Sequence, residues 1–140
     1  MNGSRPFLLD TNITGYIVSG RSPQARRVLD EVALHTPVLI SSVTEAEILY
    51  GLEMKPGAIR LRSAVEKLFE IVEIRPWDSS AAYSYSRLRA KLRAAGKTLA
   101  HPDLMIAAHA LSLDAVLISH DNAFRNVAPH LDIRDWANDV

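Results

Sequence analysis

The chain has 140 residues, 48% of them hydrophobic, and its 16 basic and 16 acidic side chains give a formal charge of zero. That length suits one domain spanning 1–140 with a real core, and no apolar run approaches the roughly 18 residues of a membrane span. The lack of cysteine excludes disulfides, thiolate metal sites and a cysteine nucleophile, and the balanced charge excludes a grip on long nucleic acid by bulk phosphate neutralisation alone.

In chain order, the pattern predicts a strand over 6–9, helices over 12–18 and 23–35, and a strand over 38–41. Helices over 43–53 and 58–70 follow, then a strand over 71–75 and helices over 79–95 and 103–113. A strand over 115–119, a short turn or helix near 121–127 and a strand over 131–134 close the chain. Such alternation predicts an α/β fold, a mostly parallel five-stranded sheet with helices on both faces. The first ten residues hold one Arg and a three-residue apolar stretch, so no signal peptide is expected and the expected location is cytoplasmic.

Three apolar runs lead directly to acids: Phe7-Leu8-Leu9 to Asp10, Val38-Leu39-Ile40-Ser41 to Glu45 and Glu47, and Val116-Leu117-Ile118-Ser119 to His120-Asp121. In an open parallel sheet, ligands bind beyond the carboxyl ends of the strands, so these acids can meet there. Each also has a structural use. Asp10 is a favoured N-cap for the helix beginning around Asn12. Asp121 fits the turn before Asn122, and Asp103, after Pro102, suits the first turn of its helix. Ser42 and Glu45 fit a capping box, which leaves Glu47, on a stripe with Val43, Tyr50, Gly51 and Met54, as the favoured carboxylate for chemistry. Asp114 lies in a turn at the opposite strand end and is expected to be structural. Four carboxylates within about 5 Å would repel by roughly 3 kcal/mol per pair at an effective dielectric of 20. Bound cations or raised pKa values must relieve that, and oxygen-only ligation selects Mg2+ or Mn2+ over zinc.

These residues resemble a known family. Phe7 to Asn12 and Ser41 to Gly51 look like the first two signatures of PIN-domain ribonucleases of the VapC toxin type. Asp103 to Ala110 resembles the third, Leu117 to Phe124 the fourth, and Leu131 to Trp136 the final strand, so the likeness spans about residues 7 to 136. It implies that Asp10, Glu47, Asp103 and Asp121 form the acidic quartet for a divalent metal, supported by Thr11, Asn12 and Ser119. It also implies a five-stranded parallel sheet between helical layers, a homodimer, and a small antitoxin that covers the active-site groove with an Arg or Lys near Asp10 and Asp121. Two positions depart from the pattern: Asp114 stands where relatives commonly have Gly, and His101-Pro102 precedes Asp103 where relatives often have Asn.

Arg87, Arg89, Lys91, Arg93 and Lys97 crowd one helix and the following loop. They read either as a solvated face or, through Arg87, Lys91 and Arg93, as contacts to an RNA backbone. His109, among alanines, is expected to pack rather than ligate; for His120, a place behind Asp121 is the less favoured reading. Ile13, Tyr16, Ile17 and Val18, with Leu49, Tyr50 and Leu52, offer either apolar surface for a second copy or the second face of a two-sided core. The function expected is a metal-dependent endoribonuclease in which Asp10, Asp103 and Asp121 hold Mg2+ or Mn2+ and Glu47 orients or deprotonates the attacking water. The alternatives are a catalytically silent RNA- or protein-binding domain on the same fold, and a phosphatase-like hydrolase with Asp10 as nucleophile. The latter needs a second acid where Asn12 stands.

Overall fold

A computed structural model describes residues 5–138. Five short strands form one sheet: β1 (Phe7–Leu9), β2 (Val38–Ser41), β3 (Glu73–Arg75), β4 (Val116–Ile118) and β5 (Ile133–Arg134). Six helices cover it: α1 (Thr11–Ser19), α2 (Pro23–Val32), α3 (Ser42–Glu53), α4 (Ile59–Ile71), α5 (Ser79–Ala94) and α6 (His101–Ser112), with a 3₁₀ turn over Asn122–Val127. The strand order is β3-β2-β1-β4-β5 and every pairing is parallel. The chain first builds outward from β1 to β3, then crosses back to build outward from β4. The order therefore reverses between β1 and β4, and the crevice beyond their carboxyl ends is where such sheets bind ligands.

Side chains alternate faces along a strand, and that parity divides the core. Leu8, Leu39 and Leu117 pack with Leu88, Leu92, Leu104, Ile106 and Phe124 on one face. Leu9, Ile40, Val116 and Ile118 pack with Ile13, Ile17, Leu29 and Leu68 on the other. The three central strands are buried on both faces, which is why they read as continuous apolar runs.

Element boundaries differ from expectation for local reasons. Helix α2 stops at Val32 and tightens through bonds from the Leu34 and His35 amides to the Glu31 and Val32 carbonyls. Thr36-Pro37 follows, and a residue before proline is disfavoured in helical geometry. Helix α4 runs to Ile71, so β3 begins only at Glu73. Helix α6 starts two residues earlier than expected, at His101, which puts Pro102 and Asp103 at its second and third positions. Asp114 adopts φ +50° in the turn from α6 to β4, the left-handed conformation that Asp tolerates better than most residues.

Candidate active site

Asp10 is the residue at which β1 becomes α1. Its Oδ1 accepts the Ile13 amide at 2.7 Å and its own amide donates to the Ile118 carbonyl at 3.0 Å, which ties the end of β1 to the end of β4. The carboxylate is buried, only 2% exposed. Burial is the largest reason that its pKa is raised from 3.8 to about 6; bonds from Ser119 and Ile13 oppose the rise, and the charges of Asp103 and Asp121 add to it. Asp10 is thus both the expected cap and a perturbed acid.

Asp121 caps the 3₁₀ turn in the same way, its Oδ1 accepting the Ala123 amide at 2.9 Å while Oδ2 accepts Asn12 Nδ2 at 3.0 Å. Ser119 Oγ accepts the Asp121 amide at 3.0 Å, and the same side chain lowers the Asp10 pKa, so it acts on both acids. Asp103, on the first turn of α6, has its pKa raised by burial first, then by the charges of Asp121 and Glu47. Glu47 Oε1 accepts Thr11 Oγ1 at 2.8 Å, and Thr11 Oγ1 lies 3.1 Å from Thr44 Oγ1. Four segments remote in sequence therefore bring Asp10, Glu47, Asp103 and Asp121 into one electrostatic field, with Thr11, Asn12 and Ser119 between them.

Helix α3 differs from expectation in two local features. The cap is Ser41, whose Oγ accepts the Val43 amide at 3.1 Å, and not Ser42, whose Oγ instead accepts the Trp77 amide at 3.0 Å. Glu45 then falls one position past the capping-box site. The stripe that carries Glu47 is not apolar core either, because Tyr50 and Met54 are 65% and 62% exposed. What singles out Glu47 is its bond to Thr11 and its field at Asp103. Thr44, fully buried and one turn before Glu47, was missed; its signal was the i,i+3 spacing that places both on one face.

The basic residues of α5 divide. Arg93 shares a cleft with His101 and Leu104 at the N-terminal end of α6. Arg87 and Lys91 line a different groove with Leu111 and His130, about 12 Å farther along α6 than Asp103 at 1.5 Å rise per residue. His109 is buried, and burial lowers its pKa, as packing requires. His120 Nδ1 lies 2.7 Å from Asp135 Oδ2, so its imidazole serves the C-terminal segment. In the apolar surface expected for a second copy, Ile13, Ile17 and Leu52 are buried core. Leu49, Tyr50, Met54 and Ile59 are the large apolar side chains exposed on α3, its end and the start of α4.

As the side chains stand, no three His, Asp or Glu among the described residues form a ligand set for one ion. Charge is what fits a dication. None of the four carboxylates has an ion pair among the described residues, two of them have raised pKa values, and every donor is a hard oxygen. No helix among the described residues is long and apolar enough to cross a membrane.

The model of the PIN domain matches residues 7–129. Ribonuclease VapC2 of Rickettsia felis is 27% identical over 131 residues, covering 93% of this chain and 97% of the relative. The tRNA(fMet)-specific endonuclease VapC of Salmonella typhimurium is 30% identical with the same coverage. Among solved structures, VapBC2 from Rickettsia felis bound to a fragment of promoter DNA superposes with a TM-score of 0.86 at 26% identity, over 94% of this chain and 98% of the other. DNA-bound VapBC from Salmonella typhimurium gives 0.82 at 29%, over 95% and 99%.

Proposed function

The chain belongs to the PIN-domain family, and from that premise we propose that it is a divalent-metal-dependent endoribonuclease, the toxin of a toxin–antitoxin pair that inhibits translation. The observation that carries the reading is the convergence of four carboxylates with no basic partner at the β1–β4 crevice. An uncompensated group of that kind is costly, and the intact set weighs against a catalytically silent domain.

Asp10, Asp103 and Asp121 would hold Mg2+ or Mn2+, which when bound supplies neutralising charge and Lewis acidity to a phosphodiester. Glu47 orients the attacking water and takes its proton; Thr11 fixes one of its oxygens at 2.8 Å and leaves the other for that task. Ser119 and Asn12 hold Asp10 and Asp121 in register. Arg93, in the cleft beside His101, contacts the RNA backbone near the site, while Arg87 and Lys91 reach only a longer substrate. The partner would be a small antitoxin that places a basic side chain against Asp10 and Asp121, where the planar fork of Arg pairs well with carboxylates. The surface around Leu49, Tyr50, Met54 and Ile59 would serve a second copy of the chain.

The test has two arms. Purified protein should cleave RNA with Mg2+ or Mn2+ and not with EDTA, and Asp103→Asn should lose that activity while staying folded. Expression should arrest growth, and co-expression of the adjacent upstream small gene should relieve the arrest. Cleavage unaffected by EDTA or by Asp103→Asn would refute the metal site; arrest unaffected by the neighbour would refute the antitoxin.

A further inference from the structure

A second concavity lies where α5 crosses the start of α6, the helix that carries Asp103. Its volume is about 440 Å3, within the range of small-molecule pockets. The floor is apolar, with Leu99 partly exposed and Leu92 and Leu104 buried beside it, and the rim carries Arg89, Arg93 and Lys97. None of these three cations forms an ion pair among the described residues.

Arg89 is held in place without being neutralised. Its Nη1 donates to Tyr85 Oη at 3.1 Å and its guanidinium lies 5.9 Å from the Tyr85 ring centroid. Arg26, by contrast, is held by the Asp30 carboxylate, and Arg5 reaches that of Asp132. Tyr85 Oη also lies 3.0 Å from His101 Nδ1, with the two rings stacked at 19°, and Tyr85 packs edge-on against Trp77. Trp77 is anchored in turn by its Nε1, which donates to the Met105 carbonyl at 2.9 Å. A fixed, unpaired guanidinium keeps its full charge and its fork of donors for an anion. His101 and Asp103 stand on the first turn of α6, about 3 Å apart along the helix axis and on different sides of it, so cleft and acidic site lie at the same end of that helix.

An apolar floor under a cationic rim suits a ligand with one flat apolar face and one negative group. An unpaired nucleotide has both, and bases splayed from a single strand stack on such platforms while arginines hold the phosphates. An acidic peptide would satisfy the rim and leave the floor bare. We propose that this cleft seats an unpaired nucleotide of the RNA substrate flanking the scissile phosphodiester, its base on the leucine floor and its phosphate on Arg89 and Arg93. The assignment rests on the ribonuclease reading and deepens it: the substrate is single-stranded at that position.

The test is fluorescence anisotropy in the Glu47→Gln background with Mg2+, using one labelled RNA as a single strand and as a duplex. Arg89→Gln/Arg93→Gln should weaken single-strand binding about tenfold and flatten the salt dependence by about 1.4 in log–log slope, at roughly 0.7 per phosphate contact. The charge-matched pair Arg62→Gln/Lys67→Gln, on α4, should change neither. Leu99→Ser should weaken binding with the salt slope unchanged, which separates the base seat from the phosphate grip; far-UV circular dichroism verifies the fold of each variant. Equal losses for the two charge pairs, or an equal loss on duplex RNA, would overturn the nucleotide seat while leaving the ribonuclease standing. An unaltered RNA affinity with a weakened complex to a co-purified protein would overturn it in favour of a protein ligand. A background protein that binds no RNA at all would overturn both readings.

Discussion

Replacing Asp10 with Asn separates the charge of this residue from its shape. The Asn Oδ1 can still accept the Ile13 amide, and Asn is as good an N-cap as Asp, so α1 keeps its start. The charge carries the cost. A folded-state pKa of about 6 against 3.8 is a rise of about two units, or about 3 kcal/mol at 1.36 kcal/mol per unit. The folded protein binds this proton more tightly than the unfolded chain does. Stability is therefore greatest at low pH, declines as pH rises from 3.8 through about 6, and is lower by the full amount above that. Urea unfolding in EDTA should show wild type losing about 2.5 kcal/mol between pH 4 and pH 7.5 from this group, with Asp10→Asn lacking that loss. The variant should match wild type near pH 4 and exceed it at pH 7.5. Because burial outweighs the Coulombic share of Asp103 and Asp121, Asp121→Asn should leave most of the slope in place. Saturating Mg2+ or Mn2+ should restore wild type at pH 7.5 through binding linkage and should do little for Asp10→Asn. An Asp10→Asn protein with the wild-type pH slope, or with an undiminished metal response, would refute the argument.

Three further outcomes are expected. Glu47→Gln should abolish RNA cleavage, while Glu45→Gln, which alters neither the Ser41 cap nor the Thr11 bond, should cleave at near the wild-type rate; the opposite ranking in a gel-based assay would reverse the assignment. His109, with a pKa lowered chiefly by burial, resists charging when folded, so it costs stability as pH falls below the unfolded value of about 6.5. In the Asp10→Asn background, His109→Gln should flatten that acid limb in urea titrations, and an unchanged limb would assign it elsewhere. Light scattering after size exclusion should give a dimer at micromolar concentration, and Tyr50→Lys/Ile59→Lys should shift it to monomer; a strictly monomeric wild type rules the dimer out.

The sheet was legible because the information is local. Short apolar runs spaced between helical patterns read as strands buried on both faces, and Asp10 directly after the first run and Asp121 shortly after the fourth strand mark the carboxyl edge. Asp10, Asp103 and Asp121 stand out for the same reason, each at the start of a helix or turn at that edge, whereas Glu47 lies mid-helix in α3 and stood out only against Glu45. Pairings made across the fold were not legible. Nothing near Thr44 announces that Thr11 lies 3.1 Å away, or that the Ser42 hydroxyl accepts the Trp77 amide and leaves the helix cap to Ser41. The α5 cations looked like one patch because i,i+4 spacing groups Arg87 with Lys91 and Arg89 with Arg93 without saying which pair meets which end of α6. Only the crossing of the two helices decides that.

Capping and metal ligation are compatible roles at Asp10 and Asp121. A carboxylate has two oxygens, and in both residues Oδ1 is committed to a backbone amide of the following turn, 2.7 Å from Ile13 N and 2.9 Å from Ala123 N. The cap thereby aims the carboxylate: one oxygen fixed on the helix start sets where the other points, so the fold orients the site at no added conformational entropy. That coupling decides which substitutions are informative. Alanine removes the cap, at about 1 kcal/mol, together with the charge, and so confuses unfolding with loss of ligation. Asparagine keeps the cap and deletes the charge alone, which makes its stability and its metal response separable readouts of one side chain.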